Sequence, residues 1–315
     1  MSLHIYFNLL VEVMLPMALL VMAGAWWRRS LGESGVRAVR SYISTITIHL
    51  FAPALMFAAA ASAPINRELL SVPILMASGI LIAFFLLYVL LHHTPIGHGL
   101  AAPTRAALML CGIFGNVLFM GYPLLHFLYG ERGAQYAVFA DMAASTPLLW
   151  SLGVAVATRI GRCEREPGHP VVNWLKLPPI WAFLSGLAFN FSHLNITPLL
   201  HAARFIGQPT IPVMLLMLGI SVPWHKLTPN RPILVIIAFK LLLLPLLITG
   251  IVLAIWGKPH PAQVAAIIES GVPTMLMALG LADRYKLDVE TTALTIAWTT
   301  ILMIFTLPLW LLTLL

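Results

Sequence analysis

The stretch FGNVLFMGYPLL, residues 114–125, places Gly121-Tyr122-Pro123 in the middle of an otherwise apolar segment. Glycine costs about 1 kcal/mol and proline about 3 kcal/mol in a helix interior, so this tripeptide predicts a helix break. A second break is predicted 150 positions later, at Gly271-Val272-Pro273 in IIESGVPTMLMAL, residues 267–279. Two Gly-x-Pro breaks at matching positions indicate an internal repeat, although a simple kink also explains each one taken alone.

Composition places these breaks in a membrane protein. Of the 315 residues, 60% are hydrophobic and 9% are charged, whereas a soluble domain carries about 25% charged residues. Apolar runs of about 20 residues, long enough to cross a bilayer as a helix, recur throughout. We predict ten spanning helices, at residues 5–27, 39–61, 68–92, 104–129, 134–158, 174–193, 198–222, 231–256, 261–282 and 287–314. Cys111 and Cys163 predict neither a disulfide framework nor a metal site, and no cofactor is implied. The methionines, among them Met275 and Met277, are interpreted as packing residues.

The basic residues are distributed unevenly between the two predicted membrane faces. Of the 18 lysines and arginines, thirteen lie in or beside the loops that would share one face, and Lys240 lies inside a predicted span. The positive-inside rule makes that face cytoplasmic and puts both termini on the non-cytoplasmic side. This topology accounts for the net charge of +7, so the expected partner is a lipid bilayer and not a nucleic acid.

The longest polar connection, residues 159–173, divides the chain into two halves, 1–158 and 174–315, with five predicted spans in each. Because five is odd, the second half enters the membrane inverted relative to the first. The predicted fold is therefore an all-α membrane protein with ten transmembrane helices in two inverted five-helix repeats, in which helices 4 and 9 are broken.

A break inside the membrane frees backbone groups that lipid cannot satisfy, so it faces protein or a wet cavity. The freed N–H groups and the helix dipole attract an anion, and the freed carbonyls attract a cation. Two such breaks predict a substrate site at the bilayer midplane. Asn116 could bind the substrate or hold the break closed, and Tyr122, Ser270 and Thr274 offer hydroxyls to a carboxylate.

Four ionisable residues, Glu12, Asp141, Lys240 and Glu269, lie within predicted spans, where each is expected to face the helix bundle and a partner. Glu269 could carry a proton or cap the backbone at the second break. Lys240 could balance an anionic substrate, pair with Asp141 or Glu269, or extend towards the surface. Asp141 could contact substrate, carry a proton or pair with Lys240. Glu12 fits an interfacial or structural role.

Four segments resemble the auxin efflux carrier family, the bacterial relatives of the plant PIN carriers within the bile acid, arsenite and riboflavin transporter-like superfamily. They are Asn116 to Pro123, FKLLLLPL (239–246), SGVP with the following ALGLADRY (278–285), and TLPLWLL (306–312). The resemblance extends over nearly the whole chain. It implies a bacterial inner-membrane carrier and a homodimer formed through scaffold helices.

The same resemblance implies two domains: a scaffold of predicted spans 1, 2, 6 and 7, and a transport domain of spans 3–5 and 8–10. The site would lie beside the crossing of the broken helices. Its implied residues are Asn116, Gly121, Tyr122, Pro123, Gly271, Val272 and Pro273. The family often has other residues at the position of Glu269, which leaves the role of that carboxylate open.

These observations predict a secondary active transporter of small organic anions, with a dicarboxylate such as malonate or malate as substrate and elevator-type alternating access. The membrane potential, a proton or sodium could drive it. A P-loop for ATP and the HExxH and GxSxG patterns of hydrolases are absent from the sequence, so we expect no catalytic residues. The alternative within carriers is a sodium-coupled transporter of bile-acid-type or aromatic substrates. A channel and a membrane sensor are the rivals from other classes.

Overall fold

The computed structural model describes residues 7–162, 170–192, 194–222, 224 and 228–314. The helices in these ranges are α1 (Leu9–Arg28), α2 (Glu33–Ala61), α3 (Arg67–His93), α4 (Ala102–Ile113), α5 (Val117–Ile160), α6 (Pro170–Leu175), α7 (Pro178–Ser192), α8 (Thr197–Ser221), α9 (Arg231–Trp256), α10 (Pro261–Ser270), α11 (Met277–Arg284) and α12 (Val289–Leu314). In the same ranges the extended pairing is limited to one isolated bridge between Gly115 and Thr274. The expected all-helical fold is confirmed for this part of the chain.

Seven helices of the described residues, α1, α2, α3, α5, α8, α9 and α12, are long and apolar enough to cross a membrane. The protein is therefore a multi-pass membrane protein. Fewer helices qualify than the ten predicted spans because breaks divide predicted spans 104–129 and 261–282 into shorter helices. In addition, α7 has only 15 residues, and α5 contains the whole of predicted span 134–158. The ten-span inverted repeat stays a prediction.

Helix α5 turns at Gly130, although its 44 residues are counted as one helix. Gly130 has φ 60° and ψ −144°, which is not a helical conformation. This region of backbone conformation suits glycine because a Cβ atom would be strained there. The turn lies between predicted spans 104–129 and 134–158. Helix α5 therefore consists of two helical segments that meet at Gly130.

Gly121-Tyr122-Pro123 does not break the helix, and this expectation is wrong. The chain is helical from Val117 onwards, with a wider π turn at Val117–Gly121 directly before Tyr122-Pro123. The π turn accommodates the missing N–H and the bulk of the proline ring without unfolding the helix. The π turns Asp141–Ser145 and Phe239–Leu243 likewise end two residues before Pro147 and Pro245.

The actual breaks lie at residues 114–116, between α4 and α5, and at residues 271–276, between α10 and α11. The second break begins where Gly271-Val272-Pro273 predicts it and continues to Leu276. The first break lies about two helical turns before the predicted tripeptide.

Two sets of helices pack closely. Helix α1 packs along α8, and α2 packs along α7 and α8. Polar side chains connect these helix ends: Arg28 Nη1 donates to the Ile220 carbonyl at 2.7 Å, and Asn190 Nδ2 donates to the Ala63 carbonyl at 2.8 Å. In the other set, α10 packs on α3, α5 and α9, while α12 packs on α4 and α9. The two breaks both lie in the second set.

Candidate functional site

The two breaks meet and pair through their backbones. The Asn116 N–H donates to the Pro273 carbonyl at 2.7 Å, and the Met275 N–H donates to the Phe114 carbonyl at 2.9 Å. Gly115 lies opposite Thr274 in this antiparallel pairing. Each break therefore satisfies groups that the other has freed, as the membrane interior requires.

Neighbouring helices satisfy further polar groups of the second break. The Thr274 N–H donates to Thr299 Oγ1 at 3.1 Å, and the Thr274 hydroxyl donates to the Cys111 carbonyl at 2.9 Å. The Ser270 hydroxyl donates to the Ile267 carbonyl at 2.7 Å. In this structure the hydroxyls of Ser270 and Thr274 thus donate to backbone carbonyls, whereas the sequence analysis predicted that they would bind a substrate carboxylate.

Lys240 lies at the carbonyl end of α10. Its side chain is buried, and Nζ donates to the Ser270 carbonyl at 3.0 Å. A Cβ atom on Gly115 would lie 2.9 Å from Nζ, so the ammonium touches both breaks. Within the described ranges Lys240 forms no direct ion pair with Asp141 or Glu269. Its amino group instead lies at the negative end of the half-helix α10.

Glu269 is completely buried, and neither of its carboxylate oxygens has a hydrogen-bond partner among the described residues. It therefore does not cap the backbone at the break. A Cβ atom added to Gly121 would overlap this carboxylate. Gly121, predicted from the sequence to break the helix, instead lies where α5 packs directly against Glu269. Asp141 and Lys240 are near enough to act on Glu269 electrostatically.

A cavity of about 110 Å³ lies beside the paired breaks, and we name it the crossover cavity. Both Asn116 and Asp141 line it. Asn116 is 3% exposed, and its side-chain amide forms no hydrogen bond within the described part of the chain. Asp141 accepts a hydrogen bond of 3.3 Å from the Thr146 hydroxyl. The cavity thus presents an unpaired amide and a carboxyl group to whatever occupies it.

A second cavity, of about 250 Å³, lies further along α2, and we name it the vestibule. Tyr122 and His126 line it, with ring centroids 6.0 Å apart in a stacked arrangement. Glu131 and Arg204 also line it, and they form an ion pair of 3.9 Å. The vestibule is therefore more polar than the crossover cavity.

The structure separates the predicted site residues into three groups. Asn116 and Asp141 face the crossover cavity, and Tyr122 faces the vestibule. The others line neither cavity and pack around the paired breaks: Gly121, Pro123, Lys240, Glu269, Ser270, Gly271, Val272, Pro273 and Thr274.

Sequence reasoning missed several residues of the crossover cavity. They are Ser44, Thr47, Thr146, Trp150, Met275 and Met277. Ser44 and Thr47 are three positions apart and share a helix face, but the stretch SYISTITIH (41–49) contains other polar residues, so these two did not stand out. Met275 and Met277 gave no signal, since methionine is common in packed interiors, and their interpretation as packing residues was incomplete.

A multi-pass helical protein whose broken helices meet beside a partly polar cavity has the features of a membrane transporter. The family model described as membrane transport protein matches residues 9–165 and 171–311. The chain belongs to this auxin efflux carrier-like family, which confirms the resemblance seen in its sequence and indicates a transporter rather than an enzyme.

Two archaeal proteins are similar to this chain. An uncharacterised transporter of Methanothermobacter thermautotrophicus is 29% identical over 198 residues, which is 62% of this chain and 63% of that protein. An uncharacterised transporter of Methanocaldococcus jannaschii is 28% identical over 209 residues, 64% of this chain and 66% of that protein. The matched region spans less than two thirds of either relative.

Proposed function

We propose that this protein is a secondary active transporter of small organic anions, with a dicarboxylate such as malonate or malate as substrate. The observation that carries the proposal is the Asn116 amide, which is unpaired and faces the crossover cavity where the two breaks meet. An amide that lines a cavity without a protein partner completes its hydrogen bonds with a ligand or with water.

The helix ends around the cavity favour an anion. Asn116 and Leu118, at the beginning of α5, line the cavity, and so do Met275 and Met277, at the beginning of α11. Both helices therefore begin beside the same space, and a helix N-terminus carries about half a positive charge. Lys240 adds a buried positive charge behind the breaks.

The cavity size favours a small substrate. A volume of about 110 Å³ is well below the roughly 300 Å³ at which pockets for drug-sized ligands begin. A malonate-sized anion suits this space better than a bile acid or a large aromatic acid, so the sodium-coupled alternative would require a wider cavity than the one present.

Two cavities along one helix support alternating access. Ser44 and Thr47 of α2 line the crossover cavity, and Leu55 and Ala59 of α2 line the vestibule. Ser44 and Ala59 are about 22 Å apart at 1.5 Å per helical residue. In our proposal α1, α2, α7 and α8 form the scaffold, and the helices that carry the breaks move against it. The inverted halves 1–158 and 174–315, the linker 159–173, the homodimer and the non-cytoplasmic termini belong to the same proposal.

Asp141 is the coupling group in this proposal, because it faces the cavity and can carry a proton. An inside-negative potential contributes about 2.3 kcal/mol per charge per 100 mV and favours export of an anion. Import of a dianion therefore needs cations moved with the substrate or an anion exchanged for it. Protons on both Asp141 and Glu269 would balance the two charges of a dicarboxylate.

A binding test uses the thermal stability of the purified protein with mono- and dicarboxylates, aromatic acids and sodium. A ligand at 100 times its Kd stabilises the native state by about 2.7 kcal/mol. We expect a small dicarboxylate to raise the Tm of the wild type and of the control variant Asn195→Ala. The Asn195 side chain is exposed and accepts a hydrogen bond from the nearby Thr197 hydroxyl. Asn116→Ala should lose the shift. Stabilisation by sodium or a cationic compound, with none by any acid, would contradict the proposal.

A further inference from the structure

A third cavity lies away from both cavities described above, at the end of α3 and α5 and the beginning of α4. Its volume is about 500 Å³, and it shares no lining residue with the crossover cavity or the vestibule. Three arginines line it, Arg105 from α4 and Arg159 and Arg162 at the end of α5. We name it the arginine pocket.

The described residues that line the arginine pocket carry unbalanced positive charge. None of its lining residues in the described ranges is a carboxylate, and neither ion pair found in those ranges involves its arginines. Arg159 and Arg162 are exposed and Arg105 is half-buried, so the three guanidinium groups give the pocket a positive potential that attracts anions. The pocket therefore has the composition of an anion site.

Arg105 is fixed in a way that leaves one donor unused. Its Nη2 donates to the carbonyls of Gly97 and Leu100, each at 3.3 Å. Its Nε is buried and has no hydrogen-bond partner among the described residues. Buried N–H groups of native proteins are rarely left without a partner. Arg105 therefore keeps one N–H unused, and guanidinium groups bind phosphate through paired N–H groups.

The rest of the pocket has the amphipathic character of a lipid-headgroup site. Tyr88 and His92 of α3 are stacked with ring centroids 4.2 Å apart, and Phe84 lies one turn further along the same face. The apolar side chains of Leu152 and Val156 complete the wall. A cationic rim above an aromatic and apolar wall, at the end of membrane-crossing helices, matches an anionic headgroup with its glycerol and the first carbons of its chains.

We propose that the arginine pocket binds the phosphate group of a phosphate ester, with an anionic phospholipid headgroup as the form that also uses the apolar wall. A soluble phosphate ester has the same anionic chemistry and differs only in lacking acyl chains. The positive-inside rule places this end of α3 and α5 on the cytoplasmic side, where anionic lipids would meet it.

Native mass spectrometry and thermal shift on the delipidated protein test the proposal, with phosphatidylglycerol, phosphatidylcholine and sn-glycerol 3-phosphate as probes. Arg159→Gln/Arg162→Gln removes two charges of the pocket. Arg29→Gln/Arg37→Gln removes two exposed charges from the same predicted face, outside the pocket. If the double pocket variant fails to fold, Arg162→Gln alone, at an exposed position, takes its place.

We expect phosphatidylglycerol to bind the wild type and the control variant more tightly than phosphatidylcholine. The pocket variant should lose about fivefold in affinity per arginine, or roughly 25-fold in all. Binding of sn-glycerol 3-phosphate as tightly as the lipid, and its loss in the pocket variant, would identify a soluble ester as the ligand of the same site. Equal phosphatidylglycerol binding by pocket and control variants would overturn the proposal.

Discussion

Replacing Gly121 with alanine tests the close approach of α5 to Glu269. In a helix interior, glycine to alanine normally stabilises by about 1 kcal/mol. Here the added Cβ would overlap the Glu269 carboxylate, which is completely buried and has little room to move away. Overpacking in a tight interior costs about 1–3 kcal/mol. The steric cost outweighs the helical gain, so Gly121→Ala should destabilise the protein by up to about 2 kcal/mol.

Thermal unfolding of the purified protein in detergent measures this effect. The matched control is Gly250→Ala in α9, where a Cβ would meet no atom within 4 Å. We expect the Tm to fall for Gly121→Ala by about 2 °C per kcal/mol lost, and to rise or stay constant for Gly250→Ala.

A double-mutant cycle identifies the steric partner. Glu269→Ala should relieve the cost of Gly121→Ala, whereas Glu269→Gln, which keeps the volume of the side chain, should not. A Tm that rises for Gly121→Ala as it does for Gly250→Ala would refute the close contact between α5 and Glu269.

Three further substitutions test the polar groups of the breaks. Lys240→Met removes the donor to the carbonyl that ends α10 and should lower the free energy of unfolding by about 1–3 kcal/mol. As a control, Lys258→Met at an exposed position should leave the Tm within about 1 °C of the wild type. Thr274→Val loses the hydrogen bond to a carbonyl of α4 and should lower the free energy of unfolding by about 1 kcal/mol. The Thr300 hydroxyl bonds within its own helix, so Thr300→Val should lower it by less in the same thermal unfolding experiment. Glu269→Gln should keep or raise the Tm, because its carboxylate has no hydrogen bond to lose. If Glu269 carries a coupling proton, uptake by this variant should depend less on pH than uptake by the wild type; unchanged pH dependence would leave Asp141 as the proton carrier.

The sequence was sufficient for the class of protein and for one of its two breaks. Apolar runs identify a membrane protein because lipid imposes a composition that few soluble proteins share. Gly271-Val272-Pro273 lies at the beginning of a real break. Gly121-Tyr122-Pro123 has the same pattern and lies in a continuous helix.

The difference between the two tripeptides arises from contacts distant in sequence. Residues 114–116 leave the helix where Asn116 and Phe114 pair with Pro273 and Met275, and no local sequence pattern encodes that pairing. Gly121 is explained by a carboxylate on another helix. Local propensity gives the cost of a helix at each residue, but it does not contain the tertiary contacts that offset this cost.

Part of the polar side of the crossover cavity was predictable from the sequence, and its apolar side was not. Asn116 and Asp141 stand out because polar groups inside apolar spans are rare. Trp150, Met275 and Met277 also line the cavity, but they are apolar residues in an apolar segment, so nothing in the sequence distinguishes them from packing residues. Lys240 donates to a backbone carbonyl, whereas the sequence analysis considered a carboxylate as its partner. This contact was not predictable because it depends on where α10 ends.

Counterflow in proteoliposomes is the most direct test of transport through the crossover cavity. Vesicles containing the protein are loaded with unlabelled malonate and diluted into a trace of labelled malonate. We predict transient accumulation of label above its equilibrium level with the wild type and with Asn195→Ala, and a rate at least about tenfold lower with Asn116→Ala, as expected when about 1.4 kcal/mol of binding is lost. Label that only equilibrates, or that accumulates equally with Asn116→Ala, would contradict a carrier that binds its substrate at this site.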